Sequence, residues 1–109
     1  MLKAGVKLTL MVVSLLSSLG VNAEIIQVEI KKFKFIPQQL TINVGDTVVW
    51  TNKEKRQYHS VWFKEAGDKE PDYFFPGELY QRTFNLVGTF NYLCGPHPKM
   101  TGVIHVEKK

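Results

Sequence analysis

Cys94, His97 and Met100 fall within seven residues as Cys-x-x-His-x-x-Met, and His59 lies 35 residues before the cysteine. One thiolate, two imidazoles and one thioether make a soft donor set. Two histidines and a cysteine in a trigonal array with a weak axial methionine suit copper, being soft enough for Cu(I) yet still competent for Cu(II). Zinc is the competing metal, because Cys, His and His ligate it well, but a thioether is a poor fourth ligand for a tetrahedral zinc site. Met100 is therefore the residue that argues for copper. A nucleophilic Cys94–His97 pair is a third reading, for which the sequence offers neither an orienting third group nor an oxyanion donor set.

Taken singly, these residues have ordinary explanations. A lone buried cysteine behaves as a small hydrophobe, Met100 alone reads as core, and His59 alone reads as a loop histidine. His105, between Ile104 and Val106 on the last apolar run, reads as a surface residue. It is the joint spacing of Cys94, His97 and Met100 that favours a metal. The compartment adds to this. Lys3 and Lys7 precede an apolar run, Leu8 to Leu19, that closes at Val21-Asn22-Ala23, the order of a cleavable signal peptide over residues 1–23. A spanning helix needs about 20 apolar residues, so no stable membrane anchor is expected. In an exported chain with one cysteine no intrachain disulfide can form, and the unpaired thiol invites oxidation unless it is buried, dimerised or bound to a metal.

Residues 24–109 then form one small domain, of a size at which a metal helps stabilise a limited core. Half of the formal net charge of +4 belongs to Lys3 and Lys7. What remains is too mild for a nucleic-acid binder. Lys53, Lys55, Arg56 and Lys99 are candidates for steering an acidic partner, although solvated loops account for them equally well.

The elements that must position the four side chains are strands. Ile26, Val28 and Ile30 alternate, as do Phe33 and Phe35, and then Leu40, Ile42 and Val44. Gly45-Asp46 is a turn signal ahead of the β-branched and aromatic run Thr47 to Thr51. His59 to Phe63 reads as a short strand, Lys64 to Gly77 as a long surface loop, and Glu78 to Leu86, Thr89 to Cys94 and Gly102 to Val106 as three more strands. With no convincing helical period, the chain reads as an all-β, antiparallel Greek-key sandwich or small barrel. Cys94 ends a strand, and Pro96 and Pro98 stiffen the loop that returns His97 and Met100 toward it.

Phe33-x-Phe35-x-Pro37, Leu40, Val44-Gly45-Asp46, Val48, Trp50-x-Asn52 and His59 are followed by Pro76-Gly77-Glu78, Phe84, Gly88, Phe90 and Tyr92. Cys94, His97, Pro98, Met100, Gly102, Ile104 and Val106 close the series. On these residues the whole of 24–109 resembles the cupredoxin family, in particular its short-loop bacterial plastocyanin, amicyanin and pseudoazurin members. The resemblance implies an eight-stranded Greek-key β-sandwich with one type 1 copper, held by His59, Cys94 and His97 in a trigonal plane with Met100 axial. It implies a monomeric periplasmic one-electron carrier, cycling Cu(I) and Cu(II), rather than an enzyme. Donor and acceptor redox proteins would meet it briefly through an apolar patch at the edge of His97. Copper handling or tolerance is the alternative function. One departure stands out: the family usually has Asn after the upstream histidine, bracing the ligand loop, and here the residue is Ser60.

Overall fold

The computed structural model describes residues 22–109, so the signal peptide expected over residues 1–23 lies outside the described residues except for its last two positions. Alternating apolar residues produce half-buried strands, and the described chain builds seven of them. They are β1 (Ile25–Lys31), β2 (Lys34–Ile36), β3 (Gln39–Asn43), β4 (Thr47–Asn52), β5 (Leu79–Thr83), β6 (Gly88–Leu93) and β7 (Thr101–Glu107). One sheet has the order β2-β1-β4-β5 and the other β3-β7-β6. Val28 and Ile30 from β1, Val48 and Trp50 from β4, Tyr92 from β6 and Ile104 and Val106 from β7 meet between the sheets. The layered all-β sandwich is the architecture expected from the sequence.

Three details differ from that expectation. The sheets are mixed, because β1 pairs with β4 and β3 with β7 in parallel, while the other ladders are antiparallel. The Greek-key path carries the chain from one sheet to the other between β3 and β4, so neighbours in space are joined by crossovers, which permit parallel pairing. Phe33 is not a strand residue. It sits with Lys32 at the tip of the two-residue β1–β2 hairpin, where both have positive φ, 53° and 57°. The strand expected over His59 to Phe63 is reduced to two isolated pairings, His59 with Phe74 and Trp62 with Leu93. Between them the Ser60 amide points to Cys94 Sγ rather than to a neighbouring strand, so no continuous eighth ladder forms.

An aromatic cluster underlies the metal-site end. Trp50 and Tyr92 meet edge to face at 5.5 Å, Phe63 lies 5.1 Å from Tyr92, and Trp50 Nε1 donates to Tyr92 Oη at 3.1 Å. Burial raises the Tyr92 phenol to about 12, against the Trp50 hydrogen bond that favours its ionised form. This pair ties the two sheets together, with Trp50 on the strand that leads to His59 and Tyr92 two residues ahead of Cys94.

Candidate metal centre

His59 is delivered by the loop that follows β4. Asn52, buried at the end of that strand, donates through its side-chain amide to Gln57 O at 2.8 Å and Phe74 O at 3.1 Å. Its Oδ1 accepts the Glu54 amide at 2.9 Å. One side chain thus shapes the whole connection, and the His59 backbone then pairs with Phe74 at 3.1 and 2.9 Å. Cys94 leaves the end of β6 directly into a closed turn. His97 N–H donates to Cys94 O at 3.2 Å, Met100 N–H to His97 O at 2.9 Å, and Cys94 N–H to Met100 O at 3.0 Å. The loop is therefore fixed by its own backbone, with Met100 buried at its end and β7 starting at Thr101.

These two devices bring the donors together. Cys94 Sγ lies 3.5 Å from His59 Nδ1 and 3.5 Å from His97 Nδ1, and the two imidazole centroids are 5.0 Å apart. Among the described residues, His59, Cys94 and His97 form a group whose donor atoms all lie within 4.8 Å of one another. The spacing suits a single ion: bonds of about 2.0 Å to nitrogen and 2.3 Å to sulfur, opened to a trigonal angle, separate N and S by about 3.7 Å. His59 and Cys94 are fully buried and His97 is half-buried, so the group is closed on the protein side and reaches solvent at His97.

The surroundings orient the donors. Glu54 Oε2 lies 3.0 Å from His59 Nε2, which assigns the ring proton to Nε2 and leaves the Nδ1 lone pair facing the sulfur. Burial holds His59 below its ordinary value of 6.5, with Glu54 opposing and neighbouring His97 reinforcing. It therefore favours the neutral imidazole that a metal requires. Burial also acts on Glu54, pushing it up, but hydrogen bonds from Phe33 N–H, His59 and Lys32 N–H outweigh this and hold it below 4.5. Burial pushes the Cys94 thiol above 9.0, opposed by the Ser60 and His97 amides and assisted by the charge of Glu70. A bound cation reverses that preference by taking the thiolate.

Ser60 performs the bracing expected of the usual Asn. Its N–H donates to Cys94 Sγ at 3.4 Å, and its Oγ accepts the Gly95 N–H at 2.8 Å. Phe33 packs edge-on against His97 at 4.9 Å and against His59 at 5.7 Å, and Tyr58 lies 6.1 Å from His97. A shallow hollow of about 360 Å³ lined by Phe33, His97, Pro98, Lys99 and Met100 opens beside the group. Glu54, Phe33 and Tyr58 were not legible as site residues. The available signal was a carboxylate five residues before a candidate ligand histidine, since ligand imidazoles commonly pair their second nitrogen with one. His105 stands apart from the group on β7, its Nδ1 3.2 Å from Thr89 Oγ1.

Comparison with known proteins agrees with this geometry. The sequence pattern of the copper binding proteins of the plastocyanin/azurin family matches residues 23–107. Amicyanin-alpha of Methylorubrum extorquens is 39% identical over 85 residues, covering 74% of this chain and 71% of the relative. Plastocyanin of Scenedesmus fuscus is 36% identical over 84 residues, covering 67% of this chain and 86% of the relative. The crystal structure of amicyanin from Paracoccus versutus superposes with a TM-score of 0.71 at 36% identity, covering 80% of this chain and 85% of that one. The family match along nearly the whole domain gives one copper ion as the cofactor, and the soft His, Cys and His group is the candidate site for it. The chain belongs to the plastocyanin/azurin family of copper binding proteins, the cupredoxins.

Proposed function

We propose that the protein is an exported, monomeric one-electron carrier, and that His59 Nδ1, Cys94 Sγ, His97 Nδ1 and the Met100 thioether would hold its copper. The observation that carries this reading is the approach of both imidazole Nδ1 atoms to one buried thiol sulfur, each at 3.5 Å. Copper in such a set supplies a single-electron couple between Cu(I) and Cu(II).

The rest of the work belongs to the chain. The closed backbone turn from Cys94 to Met100, the Asn52-shaped loop and the Glu54 bond keep the donors in one arrangement, so a change of charge requires little movement. Burial of His59, Cys94 and Met100 excludes water from the inner side. The Ser60 amide stabilises negative charge on the sulfur. His97, half-buried beside exposed Phe33 and Pro98, is the edge through which an electron enters and leaves during a brief encounter with a donor or acceptor. Such encounters belong to the small, weak class of interfaces. The signal-peptide pattern of residues 1–23, basic residues ahead of an apolar run, supports export to the periplasm.

The test is the visible absorption and EPR spectrum of the protein loaded with one Cu(II), beside Cys94→Ser. An intense thiolate-to-copper band that disappears in the variant is the expected result. Weak or ordinary tetragonal copper binding, with no such band, overturns the assignment and favours copper handling or zinc. Electron self-exchange with retained metal separates the carrier from a copper-delivery protein, which would surrender Cu(I) readily to a chelator.

A further inference from the structure

The loop between the 3-10 turn Lys64–Ala66 and β5 passes beside the metal loop, and its Glu70 ends against Gly95, the residue after Cys94. A methyl group in place of the Gly95 hydrogen would collide with Glu70 Oε2 and stand 2.9 Å from Ser60 Oγ. The carboxylate therefore fills the side-chain space that glycine leaves open, next to the serine that braces the sulfur. One hydrogen bond holds it there, from a tyrosine that is itself fixed by stacking. Tyr73 Oη donates to Glu70 Oε2 at 3.2 Å, and Tyr73 is stacked on Tyr58 with centroids 5.1 Å apart and planes 6° from parallel. The loop itself is fastened by the Arg82–Asp68 ion pair and by Trp62 Nε1 donating to Asp68 O at 2.9 Å. A negative charge thus rests against the ligand loop, beside the residue that follows Cys94 and the serine whose amide meets its sulfur.

We propose that Glu70, seated in the notch left by Gly95, lowers the reduction potential of the bound copper by favouring Cu(II) over Cu(I). The inference rests on the copper electron-carrier reading above. Reduction adds one electron and no atom to the site, so a fixed anion nearby opposes it by Coulomb repulsion. Glu70 is exposed on its outer side, so water and salt weaken the effect without abolishing it.

The experiment is potentiometry of the copper-loaded protein as wild type, Glu70→Gln, Gly95→Ala and the double variant, with Asp72→Asn on the same loop as the control. Glu70→Gln keeps the shape and removes the charge. It should raise the Cu(I):Cu(II) ratio at a fixed applied potential by about three- to tenfold, tenfold being about 59 mV for a one-electron couple. The visible band should be unchanged, and the shift should shrink at high salt. Gly95→Ala, which displaces the flexible carboxylate end, should shift the ratio in the same direction. Because Gly95→Ala also crowds Ser60 Oγ, the reading is the cycle: Glu70→Gln should shift the ratio less in the Gly95→Ala background than in wild type, the carboxylate there being already displaced. A Glu70→Gln midpoint equal to wild type, or an equal shift from Asp72→Asn, overturns the proposal while leaving the carrier intact. Absence of any reversible one-electron wave in the wild type overturns both.

Discussion

Glu54 shows how one side chain can serve two parts of the site. Its carboxylate takes the Lys32 and Phe33 amides at 3.1 and 2.9 Å and His59 Nε2 at 3.0 Å, joining the hairpin tip to a candidate ligand. Glu54→Gln retains the size but removes the charge, and one amide oxygen cannot replace both carboxylate oxygens. Copper affinity should fall about 10- to 100-fold, the usual effect of losing a group that orients a ligand imidazole. Competition against a chelator measures it, with the visible band showing that the ligands are unchanged. An affinity equal to wild type means that packing alone orients His59. Cys94, His97 and Met100 stand out in the sequence as candidate ligands because their types and joint spacing are a chemical signal, whereas His59 stands out only through the family resemblance. Glu54 sits in Asn52-Lys53-Glu54-Lys55, which has the look of an ordinary solvated loop, and Glu70 sits in an acidic one. Their roles come from tertiary contacts with the metal loop and the hairpin, which no local pattern records.

At the scale of elements, the β1–β2 hairpin is strained where it touches the site. A two-residue turn with positive φ at both positions is normally made by Asn and Gly, whose side chains tolerate that region, yet here it is made by Lys32 and Phe33. Left-handed backbone costs an ordinary residue roughly 1–2 kcal/mol. The bonds from both amides to Glu54 and the packing of Phe33 on His97 offset it. Lys32→Asn should therefore stabilise the protein by about 0.5–1 kcal/mol, since Asn enters the left-handed region more easily and keeps the amide donor. A higher urea midpoint with an unchanged slope is the readout; a midpoint equal to or below wild type means that the Lys32 conformation carries no net strain. Period-2 alternation located most strands because that period reports one buried face. It placed Phe33 in a strand because Phe33-x-Phe35 alternates correctly even though Phe33 belongs to the turn. It was silent on the parallel β1–β4 and β3–β7 pairings, which depend on how the chain crosses between sheets.

For the whole molecule, the groups that would hold the metal also govern how stability responds to pH when the metal is absent. Burial lowers the folded pKa of His59 from 6.5, so below about pH 6.5 the unfolded chain binds more protons than the folded one and stability falls on acidification. Glu54 is also lowered, from 4.5, so its contribution disappears in the same direction at still lower pH. Cys94 acts oppositely. Its thiol is raised from 9.0, so above that pH the unfolded chain loses the proton first and stability falls as pH rises. The metal-free protein should therefore show a plateau in urea midpoint between about pH 6.5 and 9, with a decline on either side. Copper changes the alkaline limb specifically, because binding requires a thiolate and has already displaced the Cys94 proton. Loading should raise the midpoint throughout, by an amount set by free metal relative to its dissociation constant. It should also flatten the decline that Cys94 causes above pH 9. The acid limb should steepen, since protons then compete with the metal for His59 and His97 as well as favouring the unfolded chain. Urea titrations of both forms across pH 5 to 10 measure this. A metal-free midpoint identical at pH 7.5 and 5.5 refutes the burial argument for His59, and an alkaline decline that persists unchanged in the loaded protein refutes Cys94 as the residue whose proton the metal replaces.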